Sequence, residues 1–413
     1  MVGARGRMRE RIKDASAVKR LRKSRWYGRL RQYLPMAEAQ YVDDRGAMAE
    51  AETVTIDWPA HVPKPRIGIV RDYEPFPRWT KYCRFLHNNG FAYELCNIHA
   101  HDWLEHAMRC DAIVGMASSE PYHLSELRAK YAFLETVLGK TCYPSAWHAM
   151  LYEDKGLEAY LSQAAGIPFA ATWVSHDRAD ALRLVADLAY PVVSKVVPAS
   201  ASMGVELVHT SRQARSIVQE AFSRHGRKSH LVYARQKGYV YFQEYVPNDG
   251  YDLRVVVVGK RLFGYYRRVL PGDFRASGMN LVEKRGLPEE AMRIALKTNE
   301  AIKSPMLVVD LLHGLDGCYR VVELSPFCQM ETPEQLHVDG IPGAYVLGDD
   351  GTLRFERGRY WVHELALRQF LLDNYLPSIA ASRLPRLLRR QRRGCLKRTT
   401  HGQATAEAGI TAG

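Results

Sequence analysis

The 413-residue chain predicts an α/β and α+β protein, in which a small parallel α/β domain precedes a larger α+β region. Three observations carry that expectation. Between Arg66 and Gly139 short apolar runs alternate with helical patterns, the order that builds a parallel sheet with helical crossovers. Arg254–Val258 and Arg261–Val269 read as a hairpin through Gly259-Lys260. A content of 46% hydrophobic and 25% charged residues is that of a soluble globular chain, long enough here for two or three domains with buried cores.

Taken in order, Ile67–Val70 reads as a first strand. Trp79, Tyr82, Cys83 and Leu86 fall at i, i+3, i+4 and i+7 of a helix that ends before Gly90. Phe91–Ile98 and Asp111–Gly115 read as strands, Pro121–Leu138 as a helix stopped by Gly139, and Leu151–Ala165 as one further helix before Gly166-Ile167-Pro168. Arg178–Leu188 leads into the strand Tyr190–Val197, and Ser211–Arg224 is a helix. Phe242–Val246 alternates like a strand, Met306–Asp310 and Val321–Pro326 are apolar strands ending in polar residues, and Gly348–Gly351 is a turn before a closing helix over Tyr360–Leu376.

Composition excludes several classes. Seven cysteines (83, 96, 110, 142, 318, 328 and 395) are odd in number and have no Cys-x-x-Cys pair, which argues against a disulfide framework or structural zinc and for a reducing compartment. No apolar run reaches the roughly 20 residues of a membrane span, and the basic N-terminus lacks the apolar core of a secretory signal, so a cytoplasmic protein is expected. The net charge of +13 is concentrated at the ends: residues 1–33 carry +10 and 383–398 carry +8, so the rest is net −5. Each basic segment reads either as an amphipathic, surface-binding helix for an anionic membrane or other polyanion, or as a solvated arm. No specific nucleic-acid motif accompanies them.

The ionisable residues that suggest chemistry lie in the middle of the chain. Lys195 sits inside an apolar strand, where it either points to solvent or stands over the Ser/Gly loop of Pro198–Gly204, whose N–H groups and hydroxyls can wrap phosphate oxygens. Lys155 stands near a predicted helix start, where a cation opposes the helix dipole unless an anion is close. Asp310 and Glu323, at the ends of two apolar strands, suggest a hard, oxygen-liganded metal. His99, His101 and His106 invite a second metal reading, but their pattern also fits loop and helix surface.

The ordered series Asp154-Lys155, Gly166-Ile167-Pro168, Tyr190–Lys195, Phe242–Val246, Asp252-Leu253-Arg254, Gly272–Arg275, Val309-Asp310 and Val322–Pro326 resembles the ATP-grasp superfamily. The resemblance is to its peptide-ligase-like branch, which includes ribosomal-protein glutamate ligases, and it covers roughly residues 150 to 345. It implies two α+β lobes holding ATP, preceded by the small parallel α/β domain. The segments would be a basic arm (1–60), the α/β domain (61–150), the ATP-grasp domain (151–345), a helical closure (346–382) and a basic tail (383–413). It further implies that Lys155, Lys195, Ser202 and Gly204 meet phosphate, and that Glu244, Tyr245 and Val246 form an adenine-binding hinge. Asp252 would be a further nucleotide residue, and Arg275 and Arg254 would stabilise the transferring phosphoryl group. Asp310, Glu323 and Ser325 would hold Mg2+, with Mn2+ as an alternative; Ser325 stands where the family usually has Asn. The implied activity joins a small-molecule or peptide carboxylate to an amine or other nucleophile through an acylphosphate. A small-molecule kinase on the same fold and a weakened nucleotide-binding scaffold are the alternatives.

Overall fold

The computed structural model describes residues 49–72, 74, 76–196, 204–229, 234–269 and 281–379. The basic arm up to residue 48, the basic tail, Ser202 and Arg275 lie outside the described residues. Two compact units are present. Within the larger, Ile67–Val70 forms β1, buried at all four positions, as an apolar strand without polar alternation should be when both faces are covered. It is followed by α1 (Trp79–Asn88), β2 (Tyr93–Cys96), α2 (Trp103–Met108), β3 (Ala112–Val114), α3 (Pro121–Thr136) and β4 (Thr141–Tyr143). The strands pair in parallel in the order β2-β1-β3-β4, as the alternating pattern predicts.

The single helix expected over 151–165 is two. Helix α4 (Ala146–Leu151) ends at Tyr152, Glu153 adopts a left-handed φ of 59°, and α5 begins at Lys155 and runs to Ala164. The break follows from Asp154. Its side chain accepts a hydrogen bond from Leu157 N at 3.1 Å and so caps a new helix rather than continuing the old one.

The smaller unit, Phe169–Pro247, contains β5 (Thr172–Ser175), α6 (Arg178–Asp187), β6 (Val192–Lys195), β7 (Val205–Val208), α7 (Ser211–Ala221), the short pair β8 (Arg227–Lys228) and β9 (Arg235–Gln236), and β10 (Val240–Glu244). Its main sheet is antiparallel in the order β5-β10-β6-β7. Asp177 and Thr210 cap α6 and α7, whose apolar faces bury Val185, Ala214 and Val218 against Val192, Val240 and Phe242.

The larger unit resumes with β11 (Asn248–Val258), β12 (Arg261–Arg268), β13 (Val282–Glu283), α8 (Glu289–Ile302), β14 (Leu307–Gly314), β15 (Tyr319–Ser325), β16 (His337–Val338), β17 (Ile341–Leu347), β18 (Leu353–Arg357) and α9 (Val362–Phe370). Their sheet runs β15-β14-β11-β12-β17-β16, which leaves β15 at an edge among the described residues; β13 pairs with β12 and β18 with β17. The predicted hairpin is present, with Val258 opposite Arg261. One apolar core joins this sheet to the parallel one: Val256, Phe263 and Val308 share it with Ile69, Tyr82, Tyr143 and Phe370. The chain past α9 continues in a π-helical turn, Leu371–Tyr375, within the closing helix expected there. No helix of the described residues is long and apolar enough to cross a membrane.

Gly264 shows how tightly the sheet closes beside its ionisable residues. A Cβ at this position would lie 2.3 Å from the Arg254 carbonyl oxygen. Gly264→Ala is therefore expected to destabilise the protein by about 3 kcal/mol, read as a lower urea midpoint, because backbone rather than a flexible side chain would have to move.

Candidate active site

Three neighbouring strands of the larger sheet bring four charged side chains together. Cross-strand register sets Arg254 opposite Asp310, Asp252 opposite Arg267, and Asp310 opposite Glu323. Asp252 and Arg254, two residues apart on β11, point to the same face. Arg254 grips Asp310 in a fork, with Nε 2.8 Å from Oδ1 and Nη2 2.7 Å from Oδ2. Arg267 donates through Nη2 to Asp310 Oδ2 at 2.8 Å and to Asp252 Oδ2 at 2.5 Å. Asp310 is 3% exposed. Burial alone would raise its pKa, but the two guanidinium groups hold it well below the usual carboxylate range. Asp252 has a weaker hold. Burial pushes it up to about 6 despite Arg267.

A second cluster adjoins the first at Glu323. Lys155, the first residue of α5, donates to Glu323 Oε1 at 2.9 Å and stands 3.8 Å from Glu153 Oε2. These anions resolve the conflict between a cation and the helix N-terminus. Burial works against the charge on Lys155, yet Glu323 and Glu153 keep its pKa well above the ordinary lysine value. Burial also pushes Glu153 up to about 7 and Glu158 up to about 8. Glu158 is 1% exposed, and its Oε2 accepts the Leu324 N–H at 2.9 Å. The Ser325 hydroxyl donates to the Phe327 carbonyl at 2.6 Å.

In the smaller unit Lys195 is 8% exposed, so it is not a solvent-facing strand lysine; its Nζ lies 5.7 Å from the Tyr241 ring centroid. Gly204 has φ 73°, a left-handed conformation that suits glycine. Glu244 closes β10 half-buried, its N–H donating to Ala171 O at 2.8 Å. Tyr245 is half-buried and Val246 buried.

The histidines belong elsewhere: His99 pairs with Glu126 and His106 with Glu94. No group of three or more His, Cys, Asp or Glu side chains among the described residues could hold a metal. Glu323, with its side chain 34% exposed, is a hard oxygen donor of the kind magnesium takes. Asp310 already accepts three N–H donors and has little capacity left. The two clusters together place Asp252, Asp310, Glu153, Glu158 and Glu323 beside Lys155, Arg254 and Arg267; with Glu153 and Glu158 disposed by burial to hold protons near neutral pH, the charges are close to balanced. In donor chemistry the site therefore fits magnesium through Glu323, the carboxylate that would hold it.

Of the candidates read from the sequence, the structure brings Asp310, Glu323, Lys155 and Arg254 together, and it adds Arg267 to them. Glu153 and Glu158 were missed. The i to i+3 spacing of Lys155 and Glu158 on one helix face was the available signal.

Residues 153–339 match the RimK-like ATP-grasp domain. Over 171 residues the chain is 29% identical to a protein named "Probable alpha-L-glutamate ligase" from Klebsiella pneumoniae (strain 342), which covers 40% of this chain and 52% of that one. Over 87 residues it is 39% identical to a protein of Methanocaldococcus jannaschii named "Coenzyme gamma-F420-2:alpha-L-glutamate ligase", covering 20% and 30% of the two chains. The chain thus spans about half of the first relative and under a third of the second. The crystal structure of D-cycloserine synthetase DcsG aligns at a TM-score of 0.50 and 17% identity, over 73% of this chain and 98% of that one, a likeness of fold.

Two outcomes follow from the site's electrostatics. Arg267→Met strands two buried carboxylates and is expected to cost about 3 kcal/mol or more in urea unfolding, with Arg267→Lys recovering only part because an ammonium lacks the planar fork. Folding also raises Asp252, Glu153 and Glu158 to about 6, 7 and 8, so the folded state holds more protons than the unfolded chain. The stability linked to these protons is complete below the ordinary carboxylate range and is lost as pH rises through those values. Glu153→Gln should remove part of that slope, raising the melting temperature at pH 8 relative to wild type by about 3 °C and leaving it little changed at pH 5.

Proposed function

We propose that this chain, which carries a RimK-like ATP-grasp domain over residues 153–339, is an ATP-dependent ligase that joins a carboxylate to an amine. The observation that supports this reading best is the cross-strand pair Asp310–Glu323 with Arg254 and Lys155 seated on it: two acids and two cations packed together across β11, β14 and β15. In this reading the acceptor carboxylate attacks the γ-phosphorus of ATP, the bond to the bridging oxygen breaks and ADP leaves with that electron pair. The amine then adds to the acylphosphate carbonyl and phosphate departs, the amine proton passing to solvent or phosphate. Arg254 and Lys155 balance charge on the transferring phosphoryl group, work that needs positioning and electrostatics but no covalent enzyme nucleophile. Lys195 and Gly204 serve nucleotide phosphates, and Glu244, Tyr245 and Val246 the adenine. Asp310 fixes the orientation of Arg254. Magnesium, held by Glu323, would supply further neutralisation of phosphate oxygens.

Two relatives are named for α-L-glutamate ligation, and we take an amino acid as the amine-bearing substrate. The basic arm and tail are assigned no role in the reaction. A weakened nucleotide-binding scaffold is the second reading, and Ser325 favours it: its hydroxyl is turned to the Phe327 carbonyl, where the family resemblance expects an asparagine ligand.

Thermal melting with ADP, with and without magnesium, tests the nucleotide site. Wild type should rise by about 5 °C at saturating Mg-ADP, and Lys195→Ala and Glu323→Ala should lose most of that shift. Phosphate release should then depend on both a carboxylate and an amino acid. No shift in wild type would overturn the reading. A shift without phosphate release, cured by Ser325→Asn, would favour the scaffold.

A further inference from the structure

Among the described residues, strand β15, which carries Glu323, lies at the edge of its sheet, with no further strand paired on its outer side. The segment that follows Glu153 takes that place. Val321 N donates to the Pro168 carbonyl at 2.8 Å, and Leu324 N donates to Glu158 Oε2 at 2.9 Å. Between these two anchors lies an irregularity in register: Asp310 faces Glu323, whereas the next residue, Leu311, faces Val321, so β15 bulges at Val322. A bulge loosens a strand from its neighbour, which makes the outer anchors more important for the direction in which Glu323 projects.

The buried face of α5 is built for close approach to this edge. It consists of Lys155, Glu158, Ala159 and Ser162, two small residues behind two ionisable ones. Lys155 meets the Glu323 side chain and Glu158 meets the next backbone amide, so one helix face grips both the side chain and the main chain at one point. A carboxylate in this position is not required for packing. A leucine would fill the space and leave the Leu324 N–H buried without an acceptor.

We propose that Glu158 is a positioning residue: by accepting the Leu324 N–H it locks the bulged edge of β15 and holds the Glu323 carboxylate against Lys155. This inference rests on the ligase reading for its consequence, the geometry of a nucleotide–magnesium site, but not for the anchor itself. The length of the side chain and its acceptor oxygen are what the role needs. Glutamine preserves both. Aspartate keeps the carboxyl group but withdraws the acceptor by one methylene.

The test compares full-length wild type, Glu158→Gln and Glu158→Asp in two measurements: amide hydrogen exchange at Glu323, Leu324 and Ser325, and calorimetric binding of ADP with magnesium or with chelator. Glu158→Gln should keep Leu324 protection and Mg-ADP affinity within about threefold of wild type. Glu158→Asp should lose about tenfold or more in both, and lose less in affinity when chelator replaces magnesium. Three results would overturn the proposal: a Leu324 amide that exchanges rapidly in wild type, an aspartate variant equal to wild type, or a glutamine variant as impaired as the aspartate one. If Glu158→Asp does not fold, wild-type protection of Leu324 together with the glutamine variant decides. Should wild type bind no nucleotide, the ligase reading fails and exchange alone judges the anchor.

Discussion

A carboxylate buried as deeply as Asp310 remains ionised only if cations are fixed around it. Charge burial costs several kcal/mol per ion, and the attraction that offsets this depends on geometry. The larger unit meets that requirement by register. Arg254 and Asp310 occupy facing positions of β11 and β14, and Arg267 reaches across from β12 to hold Asp252 and Asp310 together. The apolar strand positions next to these residues, Val255, Val256 and Val257 after Arg254 and Val309 before Asp310, are fully buried and fix the backbone from which the charges project. Substituting one of these valines would disturb a charge network it does not touch, because the sheet sets the distance between guanidinium and carboxylate.

The same logic separates what could be read from the sequence and what could not. Alternating apolar runs identify strands, and their order identifies a family resemblance; both made Asp310, Glu323, Lys155 and Lys195 stand out as charges in apolar company. What those charges pair with depends on register and on contacts between segments far apart in the chain. Lys155 and Glu323 are 168 residues apart, and neither motif says that they meet. The helix break at 152–154 was hidden for a different reason. Periodicity carries through it, and only the capping competence of Asp154 marks the stop. Glu158 looked like an ordinary helical glutamate because burial against an edge strand is a tertiary fact.

The charge balance of the site also bears on its chemistry. Burial leaves Glu153 and Glu158 disposed to carry protons near neutral pH, while Asp310 stays ionised beside its arginines. Groups so close yet so different form a graded set: one permanent anion that orients an arginine, one partly exposed carboxylate at Glu323, and two proton-holding acids behind Lys155. Arrival of an anionic nucleotide with a divalent cation would change the field at each of these differently. Lys155 faces the largest change, since its present partner Glu323 is also the carboxylate best able to take the metal. An incoming phosphate would then replace Glu323 as the partner of Lys155, a one-for-one exchange of anions that avoids leaving the buried ammonium uncompensated.

That exchange gives Ser325 its significance. An asparagine there could extend a carbonyl toward a cation held at Glu323, two residues away on the same face of β15. Serine is shorter, and its hydroxyl is engaged with the Phe327 carbonyl, helping to turn the chain after the strand. Glu323 would then be the main protein oxygen available to a magnesium ion, an ion that commonly binds through one or two carboxylates. With fewer protein ligands, metal binding would depend more on nucleotide. The anchoring of Glu323 would then matter more than in a site with a second strong ligand, because the direction of a single carboxylate would set where such a cation is held.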